Sequence, residues 1–301
     1  MTTASEPPDE PTFADLLELE EIDRDIFRGW SHAGAPMRSF GGQVAAQALV
    51  AAGRTAGDRR VHSLHSYFLR PGNPTAPLIY LVDRLRDGGS FTTRRVAAVQ
   101  KGETIFSLSA SFKDEEEGGG HQRPMPVVRP PQESLDLYKA ADEAGETSDR
   151  AQSVARLVLE LRGPDPTSRF AGSQVPHGPA EDEFGILDDD IPRRRFWMRA
   201  ADRLPDDPLL HVCALAYMSD LMLAGTATLS QEIPPGELLL ASLDHAMWFH
   251  RTFRADEWLL FSVESPSSSD GRGLAVGEYY TEDGRLVASV MQEALVRRRS
   301  R

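Results

Sequence analysis

Four places in the chain hold residue types that could do chemistry, and they lie far apart in sequence. Gln292 stands in Leu286-Val287-Ala288-Ser289-Val290-Met291-Gln292-Glu293-Ala294-Leu295-Val296, a run that reads as a long strand with side chains alternating between two faces. Leu286, Ala288, Val290, Ala294 and Val296 share one face, and Gln292 falls among them. A carboxamide there needs hydrogen-bond partners, because leaving it bare costs about 1–3 kcal/mol. Either backbone groups satisfy it or it points at something that binds. Asp220 lies near the end of an apolar helical stretch, with Cys213, Ala216, Tyr217, Leu223 and Ala224 at helical spacings around it. A carboxylate so placed is partly desolvated, which raises its pKa unless donors surround it. The alternative is a side chain that emerges into solvent at the helix end. Ser242 opens the strand Ser242-Leu243-Asp244-His245-Ala246-Met247-Trp248-Phe249-His250, where a serine is ordinarily just a tolerated small polar residue. Gly41-Gly42 begins the first helical stretch. Exposed amides at a helix N-terminus can hold an anion or a developing oxyanion, and glycine can equally serve tight packing there.

Other chemistries lack their residues. No Gly-x-Ser-x-Gly elbow, His-Glu-x-x-His or Cys-x-x-Cys motif occurs. Gly271-Arg272-Gly273-Leu274-Ala275-Val276-Gly277 has dinucleotide-like glycines but precedes strand, not helix. His62, His65, His245 and His250 are bases by type, yet each sits in a strand rich in aromatics, where packing roles are commoner. The single cysteine, Cys213, has no Cys or His at ligand spacing, so neither a disulfide framework nor a structural zinc site is expected.

Composition narrows the partners. The chain has 301 residues, 40% hydrophobic and 26% charged, with a net charge of -13. Such a field disfavours nucleic acid and anionic membranes as partners. No stretch approaches about 18 uncharged apolar residues, and the acidic start lacks a signal-peptide pattern, so no membrane span is expected and a cytoplasmic location is.

The elements that must position these residues occur twice. A Gly-led helix (Gly41 to Ala52) is followed by strands at Val61 to Arg70, Leu78 to Arg84, Phe91 to Gln100 and Glu103 to Lys113. An apolar helix (Pro208 to Ala224) is followed by strands at Leu238 to Arg251, Trp258 to Glu264, Leu274 to Thr281 and Arg285 to Arg297. A repeat of about 100 residues is a duplicated domain. Aligning Ser63-Leu64-His65 with Ser242-Leu243-Asp244 gives an offset of 179, and aligning Gly102 with Gly284 gives 182. In the latter register Gln292 falls opposite Ala110, so the amide replaces a small apolar residue of the sister unit. The second helix carries Leu209, Leu210, Val212, Cys213, Leu215, Met218, Leu221 and Met222 on no single face, so it must be enclosed. A curved antiparallel sheet around a central helix does this, with Leu17 to Gly29 and Arg193 to Ala201 as the strands preceding the helices. The units run over 12–113 and 193–301, with 114–192 as linker and surface excursion and a helix expected near Pro131 to Arg162.

Longer motifs carry a family likeness. Phe40-Gly41-Gly42-Gln43-Val44, His62-Ser63-Leu64-His65-Ser66-Tyr67-Phe68-Leu69-Arg70-Pro71-Gly72, Asp87-Gly88-Gly89-Ser90-Phe91-Thr92-Thr93-Arg94-Arg95-Val96 and Asp244-His245-Ala246-Met247-Trp248-Phe249-His250-Arg251 resemble the acyl-CoA thioesterase II family. The resemblance spans about Phe13 to Arg298 apart from parts of the middle tract. It implies an α+β double hotdog fold and hydrolysis of acyl-CoA to fatty acid and CoA, with an Asp, a hydroxyl residue and a Gln gathered around a water. Those positions fall on Asp220, Ser242 and Gln292, the hydroxyl residue being often Thr in the family and Ser here. Gly41-Gly42 is the expected source of oxyanion donors, and Arg94, Arg95 or Arg272 the expected contact for CoA phosphates. No metal or redox cofactor is called for. Two other readings keep the fold: an enoyl-CoA hydratase-like enzyme, which needs a His beside the Asp, and a non-catalytic acyl-CoA binding protein. Sheet edges or faces left over by the internal pairing lead to an expected homodimer or larger homo-oligomer.

Overall fold

The computed structural model describes residues 12–31, 38–133, 158–161 (backbone only), 191–229, 233 and 237–299. A 3-10 turn at Ala14–Leu17 leads into β1 (Glu20–Asp23) and β2 (Ile26–Gly29). The single strand expected over Leu17 to Gly29 is thus two, because Asp25 adopts a φ of 63° and reverses the chain. Then follow α1 (Gly41–Arg54), β3 (Arg60–Phe68), β4 (Leu78–Asp87), β5 (Phe91–Gln100) and β6 (Glu103–Lys113). After β7 (Val158–Leu161) the second unit has β8 (Arg193–Ala200), α2 (Pro208–Ser219), the one-turn α3 (Leu223–Thr226), β9 (Leu238–Ser242), β10 (Asp244–Phe249), β11 (Leu259–Ser269), β12 (Arg272–Thr281) and β13 (Leu286–Arg298). The described strands form one sheet in the order β1-β2-β4-β5-β6-β3-β10-β13-β12-β11-β8-β7, with β9 also on β13. The units join where β3 pairs antiparallel with β10, from Asp244↔Tyr67 to Trp248↔Ser63. This is the double hotdog expected, two helix-in-sheet units in tandem.

Both helices lie inside. Residues 42 to 53 of α1 are buried throughout, and so are His211 and residues 213 to 219 of α2. By length and composition Pro208–Thr226 could cross a membrane, but here it is interrupted at Asp220 and packed inside the protein. Asp207 caps α2, its side chain accepting from Leu209 N–H at 2.9 Å, and Pro208 supplies the first turn. The helices run antiparallel against each other. A Cβ on Gly42 would lie 2.5 Å from the Tyr217 carbonyl oxygen, and one on Gly53 would lie 2.4 Å from Leu209 Cδ2. Glycine at each end of α1 therefore sets how closely the two helices approach.

The middle tract departs from expectation. Val158–Leu161, placed inside the anticipated helix, is a strand parallel to β8. Residues 134–157 and 162–190, which hold most of that helix and of the linker, lie outside the described residues. Before them, the Gln122 side chain donates to the Gly284 carbonyl and accepts from Leu286 N–H, and Trp197 Nε1 donates to the Arg129 carbonyl. The chain leaving the first unit is thereby fastened to the second.

Candidate active site

Asp220 is the C-terminal cap of α2, and the first turn of α1 comes to meet it. Phe40 precedes α1 without a side-chain cap, so the helix's leading amides look for acceptors elsewhere. Gly42 N–H donates to the Asp220 carboxylate. A Cβ on Gly41 would lie 2.7 Å from Asp220 Oδ2 and 2.8 Å from Phe68 Cε1. Glycine is required here because a carboxylate and an aromatic edge already occupy the space of a side chain. The positive end of α1 thus faces an acid from the other unit.

The second unit's sheet closes the site. Gln292, fully buried on the inner face of β13, donates through Nε2 to Asp220 Oδ1 at 2.7 Å. Ser242 Oγ, at the end of β9, donates to the same oxygen at 3.3 Å. Asp220, Ser242 and Gln292, distant in sequence, are one cluster, and Gly41 and Gly42 are its wall. The Oε1 of Gln292 is buried and has no partner among the described residues. A buried acceptor left without a partner beside a carboxylate carries an unmet demand for a donor.

Two opposed effects set the charge of Asp220. Burial pushes its pKa up from 3.8 to about 6, while hydrogen bonds from Gln292, Gly42 N–H and Ser242 and the nearby charge of Arg38 pull it down. Arg38 is exposed at the approach to α1 and donates to the Leu240 carbonyl of β9 at 3.3 Å. Sequence reasoning missed it, since a lone exposed arginine before a helix carries no local signal.

The remaining candidates are placed elsewhere. Arg94 is an internal ligand of α1, only 1% exposed, and cannot reach a phosphate. Its guanidinium donates to the Thr55 hydroxyl and carbonyl and to the Arg86 and Thr93 carbonyls, and pairs with Asp87. Arg95 pairs with Asp83, and Arg272 with Glu293. His62 Nε2 bonds Ser111, His250 Nε2 bonds Ser289, and the His65 ring stands edge-on to Trp248. His211 accepts from Ala255 N–H through Nδ1. Among the described histidines, His245 alone comes near the site, by way of Ser219.

The two units differ at matching places. β13 sets Gln292 across from Ala275 of β12, whereas β6 sets Ala110 across from Arg94 of β5. Both helices end on a polar cap, Asp220 in α2 and Thr55 in α1. Where the second unit offers an acid and an amide, the first fills the space with Arg94.

The fold is a double hotdog, and it encloses a buried acid held by an amide and a hydroxyl. Residues 27–113 match the family model described as acyl-CoA thioesterase N-terminal domain, and residues 181–295 match the one described as acyl-CoA thioesterase. Human acyl-coenzyme A thioesterase 8 is 39% identical over 288 residues, covering 94% of this chain and 88% of the relative. The crystal structure of an acyl-CoA thioesterase II from Mycobacterium marinum superposes with a TM-score of 0.75 at 43% identity, covering 95% of this chain and 98% of the other. A hot dog fold protein from Alicyclobacillus acidocaldarius, 20% identical with a TM-score of 0.68 over 96% of this chain and 98% of its own, shares the fold. The chain belongs to the acyl-CoA thioesterase family and is a thioester hydrolase acting on acyl-CoA.

Proposed function

We propose that the protein hydrolyses fatty acyl-CoA by direct attack of a water held between Asp220 and Gln292. The observation that carries this reading is the pairing of Gln292 Nε2 with Asp220 Oδ1 at 2.7 Å, which leaves Gln292 Oε1 beside the carboxylate without a partner among the described residues. The water donates one proton toward Asp220 and the other to Gln292 Oε1. As its oxygen bonds to the thioester carbon, Asp220 takes the first proton. The tetrahedral intermediate then expels the CoA sulfur, which receives that proton from Asp220. Ser242 keeps the carboxylate oriented, and the Gln amide positions without acting as a base. Gly42 N–H is engaged by Asp220, so the neighbouring amide of Gly41 is the first choice of oxyanion donor.

A hydratase would need a histidine at the carboxylate. None of the described histidines bonds to Asp220. The test is incubation with palmitoyl-CoA and with crotonyl-CoA, following free thiol and enoyl absorbance. Thiol release abolished by Asp220→Ala and by Gln292→Ala supports the mechanism. Hydration without thiol release, or binding without either reaction, overturns it. Division into units at 12–113, 114–192 and 193–301, action in fatty acid metabolism in the cytoplasm, and assembly as a homodimer or larger belong to the same proposal. The exposed Tyr67 and Leu69 at the junction of the units support the last, which analytical ultracentrifugation decides.

A further inference from the structure

The strand that carries Ser242 breaks at Leu243, and the break faces Gln292 and Glu293. β13 pairs Met291 with Ala246 of β10 and Ala294 with Ser242 of β9. Between those pairs Leu243, Asp244 and His245 face only Gln292 and Glu293, so one residue is extra and the strand bulges. Bulges re-aim side chains and leave ladder groups without their usual partners. Here the Glu293 N–H donates to Asp244 Oδ1 at 2.7 Å. Leu243 N–H donates to the Glu293 carbonyl, and the Leu243 carbonyl accepts from Phe68 N–H of the first unit, both at 2.9 Å.

The same bulge turns His245 inward, where it is 1% exposed. Its Nε2 lies 2.9 Å from Ser219 Oγ. Ser219 donates its one hydroxyl proton to the Ala216 carbonyl at 2.9 Å, so the imidazole supplies the proton of the shared bond. That assigns the neutral ring with hydrogen on Nε2, and burial pushes its pKa down to about 4. Ser219 and Glu293 are the chain neighbours of Asp220 and Gln292.

The sister unit builds a bulge at the matching place with other residues. β3 and β6 bulge at the matching place, pairing Val61 with Phe112 and Ser63 with Ser111 and leaving His62 extra. Counting from the two bulges, Ser63 stands where Asp244 does and Leu64 where His245 does. The acid and the imidazole occur only in the unit that holds the Asp and Gln.

We propose that Asp244 and His245 are positioning residues of the hydrolytic site, gripping from one bulge the chain neighbours of Gln292 and Asp220 and so holding those two side chains in contact. This rests on the role given above to Asp220 and Gln292. The variants Asp244→Ser and His245→Leu install what the sister unit tolerates, while Asp244→Asn and His245→Gln keep an acceptor oxygen and an N–H donor. Thiol release from palmitoyl-CoA is measured from pH 5 to 9, with folding followed by melting temperature. The Ser and Leu variants are expected to lose kcat by about 100-fold, the cost of misplacement on the order of 1 Å, with little change in KM. The Asn and Gln variants are expected to keep most of kcat. The acid limb should also move to higher pH in the Ser and Leu variants, because a loosened Gln292 no longer lowers the pKa of Asp220, leaving Ser242, Gly42 N–H and Arg38 around it. A merely structural role would lower the melting temperature and leave kcat and the limb in place, and that result overturns the proposal. If His245→Leu does not fold, Asp244→Ser decides. Asp220→Ala is assayed alongside. Activity surviving in it defeats the hydrolytic reading itself, whereas its loss beside unchanged kcat in the bulge variants defeats only the positioning.

Discussion

Gln292 and Asp220 touch across the boundary between sheet and helix, Nε2 to Oδ1 at 2.7 Å. The contact steadies the carboxylate and, in the proposed mechanism, leaves Oε1 to hold the attacking water. Gln292→Leu removes both and is expected to lower kcat by about 100-fold or more, read by thiol release. Gln292→Glu keeps the shape but sets two carboxyl groups within sharing distance of one proton. Its acid limb should then lie above that of the native enzyme, and an unchanged limb would show that the two side chains do not meet.

Activity is expected to rise with pH through about 6, where Asp220 ionises in the folded protein. Stability should follow the opposite course. The folded pKa lies above the unfolded 3.8, so between those values the native state binds more proton than the unfolded chain. That contribution is fully present below 3.8 and is lost as pH rises through about 6, amounting to at most about 3 kcal/mol. The melting temperature of the native protein minus that of Asp220→Asn should decline across this window. A flat difference would mean the carboxylate is not held out of water.

His245 contributes with the reverse slope. Its folded pKa of about 4 lies below the ordinary histidine value of 6.5, so its stabilisation is present above 6.5 and is lost as pH falls toward 4. Denaturant unfolding of His245→Gln should show a shallower loss of stability on the acid side than the native protein.

Gly41 and Gly42 should fail differently when given a methyl group. At Gly41 the methyl meets the Asp220 carboxylate and the Phe68 ring, both side chains, so Gly41→Ala is expected to cost kcat with a small change in melting temperature. At Gly42 it meets the Tyr217 backbone carbonyl, so Gly42→Ala must part the helices and should lose about 1–3 kcal/mol of stability as well. Parallel melting and kinetic measurements distinguish the two.

Arg94 should matter for folding and not for substrate. Arg94→Met leaves the Thr55 and Arg86 carbonyls without their buried donors and is expected to cost about 3 kcal/mol. KM for palmitoyl-CoA in the folded fraction should stay at the native value, and a rise would restore Arg94 as a CoA contact.

Much of this was legible along the chain. Alternation over Leu286 to Val296 placed Gln292 on the core face, and the all-round apolar helix at Pro208 demanded enclosure. Such features are periodic and local, so they survive reading one segment at a time. The tract at Val158–Leu161 was not legible, because a short apolar run takes strand form only when a neighbour such as β8 offers its edge.

Register was the other limit. Matching Ser63 to Ser242 by type gives an offset of 179, but the bulges align Ser63 with Asp244, an offset of 181, and set Val61 where Ser242 stands. The sequence by itself determined the duplication, the enclosed helices, the inward Gln292 and, through family likeness, which three side chains to seek. Only the tertiary structure decided that Gly42 of one unit donates to Asp220 of the other, that Arg94 turns inside, and that one extra residue aims Asp244 and His245. A side chain's face follows from the backbone's own period, whereas its partner follows from how strands and helices distant in sequence slide into register, and no local period records that.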